Sequence, residues 1–228
     1  MQPKPTTDIK KECIERDIML QAAMYRLGNI EQEIQAGYNI LRKYPKTITV
    51  FGSARLPEDN HWYQQAKELS KRLAQKEYTI VTGGGHGIMG ASNQGANEAN
   101  GNSIGFNIEL PHEQTLNGHT TESLSFSHFA PRKITMTLYA SGYVYFPGGF
   151  GTLDELMEIL TLIQTGKTLK APIILFGHDF WDEFDHFVKK SMLEGFPLIT
   201  PGDQDLYVIT DSIDEAVSII EQNDRYNC

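Results

Sequence analysis

Long apolar runs are missing from this chain: stretches such as Ala171-Pro172-Ile173-Ile174-Leu175-Phe176 stop far short of the roughly 20 residues that cross a bilayer. Basic clusters are equally scarce. No run of Lys or Arg exceeds two, and 29 acidic against 20 basic side chains leave a formal net charge of −9. An acidic surface without a basic stripe argues against nucleic acid or an anionic membrane as the partner. Cysteine is nearly absent as well. Cys13 and Cys228 lie near opposite ends, with no spacing suited to a metal or a redox pair, so both read as free thiols of a reducing, cytoplasmic compartment. No secretory core is expected at the N-terminus, because Pro3, Lys4, Pro5, Asp8, Lys10 and Lys11 interrupt it. Internal repeats and low-complexity tracts do not occur.

What is present is 228 residues, enough for one large α/β domain or a domain with an extension. Between residues 8 and 44 no proline intervenes. Ile14, Ile18, Ala22 and Tyr25, then Leu27, Ile30, Ile34, Tyr38 and Leu41, recur at steps of three and four. That spacing predicts amphipathic helix, broken near Gly28-Asn29, which either caps the main domain or docks on a partner subunit.

After Pro45 the period changes. Short β-branched or aromatic runs at 47–51, 78–82, 103–108, 124–128, 143–146, 172–176 and 206–209 predict strands. Helical patterns at 60–76, 88–99, 131–140, 152–164, 180–193 and 213–222 alternate with most of them. Such alternation means right-handed βαβ units, hence an α/β fold with a doubly wound parallel sheet and helices on both faces. The expected division is a helical extension over residues 1–43 and one domain over 44–228.

Glycine is concentrated in two places. The first is Gly83-Gly84-Gly85-His86-Gly87-Ile88-Met89-Gly90, and the second is Pro147-Gly148-Gly149-Phe150-Gly151-Thr152-Leu153-Asp154-Glu155. Both follow a predicted strand and open a predicted helix, the place where open parallel sheets bind ligands. Converging backbone N–H groups and the positive helix end there suit an anion. Either cluster alone is also explained by the tight turn itself. The first is not a GxGxxG dinucleotide fingerprint, and no acidic residue stands in the ribose position. Neither ends in the GK[ST] of an ATP-binding phosphate loop. Two clusters on one sheet suggest a phosphorylated ligand held between them.

Two readings attach to Glu155. Thr152-x-x-Glu155 has the pattern of a capping box, and a carboxylate at a glycine-lined helix mouth also faces a ligand's ribose. Glutamine would serve a cap equally well but carries no charge, so Glu155→Gln separates the two. Glu158, one turn on, either supports Glu155 or is solvated. Arg132 and Lys133 follow Pro131, which suits the first helical position. Two cations in a first turn oppose the helix dipole at about 0.3–1 kcal/mol each, which points to an anionic partner nearby. Met89 reads first as core and second as a surface for a base. His86 reads as a solvated loop residue or a phosphate contact. His112, His119 and His128 lack metal-ligand spacing, and neither Ser53 nor Ser141 lies in a nucleophile elbow.

Together these motifs resemble the LOG (Lonely guy) family of cytokinin riboside 5′-monophosphate phosphoribohydrolases, long labelled lysine decarboxylases. The family's PGGxGTxxE motif matches Pro147 to Glu155 at every fixed position, its Arg-Lys pair matches Arg132-Lys133, and its GGGxxGxMG turn matches Gly83 to Gly90. Phe129 stands where the family's MxxRK motif has Met. Residues 107–111 and the N-terminal helix look like the longer bacterial members. The resemblance implies a Rossmann-like fold and hydrolysis of the N-glycosidic bond of a nucleoside 5′-monophosphate, cytokinin-type or AMP, to base and ribose 5-phosphate. It implies Glu155 and Arg132 as catalytic residues and the turn Gly148, Gly149, Phe150, Gly151 and Thr152 as the phosphate seat. Lys133, Gly84, Gly85, Gly87, Met89, Glu113 and Thr161 would make further substrate contacts. No metal or organic cofactor is implied, and a homodimer or larger homo-oligomer is.

Overall fold

The computed structural model describes residues 16–110 and 115–223; Ile14, Cys13, His112, Glu113 and Cys228 lie outside the described residues. The expected fold class is present: among the described residues, seven parallel strands form one sheet in the order β4-β3-β2-β1-β5-β6-β7. The strands are β1 (Thr47–Phe51), β2 (Thr79–Thr82), β3 (Ser103–Ile108), β4 (Glu122–Phe126), β5 (Gly142–Tyr145), β6 (Ile173–Phe176) and β7 (Val208–Thr210). The helices are α1 (Arg16–Leu41), α2 (His61–Gln75), α3 (Ile88–Glu98), α4 (Phe129–Thr137), α5 (Phe150–Gln164), α6 (His178–His186) and α7 (Ile213–Gln222).

The central strands are buried on both faces, which is why they read as continuous apolar runs rather than alternating ones. Neighbouring residues along a strand nevertheless serve different cores. Ile48, Val50, Ile80, Val144, Phe146 and Ile174 pack under α2, α3 and α7. Phe51, Val81, Tyr143, Tyr145, Ile173 and Leu175 pack with residues of α1, α4, α5 and α6. Phe51 and Tyr145 stack at 4.9 Å across the β1–β5 pair, and the buried Trp181 indole donates to the Tyr145 carbonyl at 3.1 Å. Burying such rings stabilises by roughly 1.5–3 kcal/mol each, so this layer anchors the middle of the sheet.

Several boundaries differ from the sequence expectation, three of them instructively. The helix α1 runs unbroken through Gly28, an exposed position where an added Cβ would meet nothing. A helical Gly costs only about 1 kcal/mol relative to Ala, too little to end a helix with no competing turn. The strand β4 starts and ends two residues earlier than expected, being an edge strand whose pattern alternates exposed and half-buried side chains. The helix α4 begins at Phe129, so Pro131 is its third residue; the missing proline N–H is still among those with no intrahelical partner. Beyond α6, residues Phe187–Gly195 continue as a wider helix.

The two halves of α1 have different surroundings. Gly37 and Ile40 are buried, with Gly37 packed against Thr135 of α4, whereas Ile18, Met19, Leu20, Met24, Tyr25 and Leu27 are exposed. Among the described residues no helix is long and apolar enough to cross a membrane. Deleting residues 1–29 is therefore expected to leave the melting temperature within about 2 °C, while deleting 1–43 lowers it by about 5 °C or more, because Ile40 leaves its core. Light scattering on the same variants reads whether the exposed half carries an oligomer contact. Equal melting temperatures for the two deletions would show that α1 contributes nothing to the core.

Candidate active site

The chain winds from β1 outward to β4, then crosses back so that β5 pairs with β1 on its other side. Connections leave β1 and β5 in opposite directions, and the crevice opens between the loops beyond their carboxyl ends. Ser53 N donates to the Pro147 carbonyl at 3.0 Å, and Ile88 N donates to the Ser53 carbonyl at 3.0 Å, so the loops after β1, β2 and β5 are hydrogen-bonded into one rim. The cavity there measures about 810 Å³. Its walls come from Gly52 to Arg55, Gly83, Met89, Ile108, Leu110, Phe129, Arg132 and the first turns of α5 from Gly149 to Glu155. A volume of this size holds a small organic ligand.

The second glycine cluster forms the mouth of α5. The N-cap is Gly149, which has no side chain to cap this end. Thr152 is thus the third helical residue and Glu155 the sixth, so the capping-box pattern is not used as a cap. That reading requires Thr152 as the N-cap, and the structure corrects it: the helix starts three residues earlier, so position decides the role. Gly148 is needed for packing, since a Cβ there would collide with the Thr152 hydroxyl. Gly149 and Gly151 have no such reason: an added Cβ would meet open space, and neither has a positive φ. Their smallness keeps the first-turn N–H groups of Phe150 and Gly151 approachable from the cavity. Phe150 itself is 92% exposed.

Glu155 lies on the inward face of α5 and is 5% exposed, and its Oε2 finds no hydrogen-bond partner among the described residues. Burial lifts its pKa to about 7, with Glu158 and Asp154 adding to the rise and Lys133 and Arg132 opposing it. Leaving such an oxygen unsatisfied costs about 1–3 kcal/mol, a burden that sites designed for a ligand carry. Arg132 is the fourth residue of α4, closing its first turn; its Nε donates to the Phe106 carbonyl at 2.7 Å. Burial lowers its pKa and Glu155 partly offsets that. Gly83 makes room for it, because a Cβ there would strike the Arg132 guanidinium and lie 2.7 Å from the Met89 sulfur. Lys133 turns instead to α5, at 2.9 Å from Asp154 Oδ2 and 3.0 Å from Glu158 Oε2.

Not every expected residue lines the cavity. Glu155, Arg132, Gly149, Phe150, Gly151, Thr152 and Met89 do; Lys133, Gly148, Gly84, Gly85, Gly87 and Thr161 do not. Gly84 and Gly87 have φ of +72° and +63°, and a Cβ on Gly87 would collide with the Ser53 carbonyl, so this turn needs glycine for its own backbone. The Gly85 carbonyl accepts from Asn117 Nδ2 at 2.8 Å. Thr161 is exposed on α5 and donates to the Met157 carbonyl at 2.7 Å. His86 is exposed beside Thr115 at 3.0 Å.

Sequence reasoning missed the loop after β1. Gly52, Ser53, Ala54 and Arg55 border the cavity, and Arg55 pairs with no carboxylate among the described residues. The signal was Gly52-Ser53 directly after the first β-branched run, but only the β1–β5 pairing makes that loop face α5.

A protein-family model described as "Possible lysine decarboxylase" matches residues 89–220. The chain is 31% identical over 157 residues to an Arabidopsis thaliana protein named "Probable cytokinin riboside 5′-monophosphate phosphoribohydrolase LOG6", covering 68% of this chain and 78% of that one. It is 26% identical to a cytokinin riboside 5′-monophosphate phosphoribohydrolase of Rhodococcoides fascians, covering 78% and 91% respectively. Among solved structures, the structural-genomics target TM1055 superposes with a TM-score of 0.58 at 25% identity, covering 78% of this chain and 99% of that one. The molybdenum cofactor carrier protein of Chlamydomonas reinhardtii superposes with a TM-score of 0.58 at 23% identity, over 78% and 97%, a likeness of fold.

The buried carboxyl has a consequence for stability. A group whose folded pKa is raised from 4.5 to about 7 holds its proton longer when folded than when unfolded. Its contribution to stability is therefore greatest in acid and declines as pH climbs through that window. Glu155→Gln cannot ionise and escapes the decline. Urea unfolding at pH 5 and pH 8 should show the variant gaining on the wild type by about 2–3 kcal/mol between the two. Parallel pH dependence in both proteins would mean that Glu155 ionises normally.

Proposed function

The chain belongs to the LOG family of cytokinin riboside 5′-monophosphate phosphoribohydrolases, and from that premise we propose that it hydrolyses the N-glycosidic bond of an adenine-type nucleoside 5′-monophosphate. The products are the free base and ribose 5-phosphate. The observation that carries this reading is the buried Glu155 carboxyl, one oxygen unpartnered, facing a cavity that also holds Arg132 and the uncapped mouth of α5.

In this reading the 5′-phosphate lies against the N–H groups of Phe150 and Gly151, with the Thr152 hydroxyl beside them and Arg55 across the crevice. The ribose then lies over Glu155, and the base rests among Met89, Ile108, Leu110 and Phe129. As the C1′–N bond breaks, its electron pair leaves with the base and positive charge develops on the sugar. A carboxylate held in place stabilises that charge without reorganising, and it orients the water whose oxygen bonds to C1′. A pKa of about 7 lets Glu155 be ionised in part at neutral pH and take up the proton the water releases, and the step balances when a proton is returned to the nitrogen of the departing base. Arg132 orients the substrate and favours the departing base. Lys133, held by Asp154 and Glu158, supports them from α4 without lining the cavity.

The decarboxylase description does not suit these residues. Such chemistry uses pyridoxal phosphate held as a Schiff base by a lysine, and no lysine lines the cavity among the described residues. A homodimer or larger assembly is part of the same reading, supported by the apolar side chains left exposed on the first half of α1.

The test is product release from AMP, N6-isopentenyl-AMP, GMP and CMP, with free base and ribose 5-phosphate quantified by chromatography. Adenine nucleotides should be cleaved. Glu155→Gln and Arg132→Ala should each lower kcat/KM by about 100-fold or more in folded protein. Gly151→Ala should hold or slightly raise the melting temperature and weaken AMP binding about 10-fold. Cleavage of all four nucleotides alike would indicate a general nucleotide nucleosidase. Binding without release would indicate a carrier and end the hydrolase reading.

A further inference from the structure

The helix α4 presents Arg132 to the cavity, yet it has nine residues and no side-chain cap of its own. A helix this short does not hold its shape without tertiary support. Its two cations, Arg132 and Lys133, also work against the dipole at that end. Support comes from α1, 94 and 95 residues away in the chain. Glu33 Oε1 accepts from the Ser127 N–H at 3.1 Å, Glu33 Oε2 accepts from the His128 N–H at 3.3 Å, and His128 Nδ1 lies 3.2 Å from Glu33 Oε1. A carboxylate thus anchors the two residues that lead into α4, whose N-cap side chain makes no capping bond.

The same face of α1 makes the next contact one turn later. Gly37 sits so close to α4 that an added Cβ would lie 2.6 Å from Thr135 Cγ2 and Oγ1. Thr135 Oγ1 in turn donates to the Pro131 carbonyl at 2.8 Å, inside the turn that carries Arg132. Ile40 completes the row in the core. Glu33, Gly37 and Ile40 follow one another at helical spacing, so one stripe of α1 lies along α4.

We propose that Glu33 is a positioning residue for Arg132, holding the start of α4 so that the guanidinium keeps its place opposite Glu155. The N-terminal helix is then part of the working site rather than an appendage. This inference rests on the hydrolase reading for its kinetic effect, while the clamping of α4 is independent of it. Displacing a catalytic group by a fraction of an ångström falls mainly on kcat when the substrate is held elsewhere, here by the mouth of α5.

The experiment uses the full chain with Glu33→Ala, Glu33→Gln and, as a control on the opposite face of the sheet, Val217→Ala. Two quantities are read: kcat and KM for AMP, and amide hydrogen exchange over residues 129–137. For Glu33→Ala we expect a fall in kcat of about 10-fold with KM within about 2-fold, and faster exchange in α4. Glu33→Gln, which keeps one accepting oxygen, should recover part of both. Val217→Ala should lower the melting temperature while leaving kcat and α4 exchange unchanged. Unchanged exchange in Glu33→Ala, or a kcat loss no greater than that of Val217→Ala, would overturn the proposal. If wild-type protein releases no base from any nucleotide, the hydrolase reading fails, and α4 exchange still decides whether Glu33 clamps the helix.

Discussion

β5 pairs with β1 in parallel, Thr49 opposite Tyr143 and Phe51 opposite Tyr145, and this one adjacency brings the loop after β1 against the mouth of α5. Had β5 extended the sheet beyond β4, the glycine turn after it would open far from the loop after β1. Because it crosses back, the two loops meet, and the hydrogen bond from Ser53 to Pro147 closes the rim. The Phe51–Tyr145 stack and the Trp181 indole under it stiffen that junction from below. A crevice at such a reversal is a geometric outcome of winding helices onto both faces of a sheet.

Into this rigid frame the fold places a group that destabilises it. Glu155 is buried, incompletely hydrogen-bonded and flanked by Glu158 and Asp154 as well as by Arg132 and Lys133. Burial outweighs the two cations, which is why the carboxyl retains its proton to near neutrality. Residues under such tension are characteristic of sites where activity takes precedence over stability. Lys133 has a part in that balance. By bonding to Asp154 and Glu158 it links α4 to α5, keeping Arg132 and Glu155 on facing walls.

The two glycine clusters look alike in sequence and differ in purpose. In the first, Gly84 and Gly87 answer the backbone: positive φ and contact with Gly105, Ser53 and Ala54 leave no room for a side chain. In the second, Gly149 and Gly151 face empty space, so neither backbone conformation nor packing against a neighbour requires glycine there. Composition cannot separate these cases, because both write the same letter.

The α/β class, the places where strands hand over to helices, the glycine turns and the residues Arg132 and Glu155 were all legible in the chain. Each depends on local periodicity or on a motif of fewer than ten residues. Only the folded molecule showed that Glu155 is the sixth residue of its helix instead of a cap, because helix starts are set by which N–H groups find partners. The role of Gly52 to Arg55 depends on which strands are neighbours, and the role of Glu33 on a carboxylate meeting N–H groups 94 residues away. Gly28, written as a break, became plain helix, since one glycine costs less than the turns on either side supply. Short-range patterns are encoded by neighbours in the chain. Sheet order, burial and long-range hydrogen bonds are decided when distant segments compete for the same surfaces.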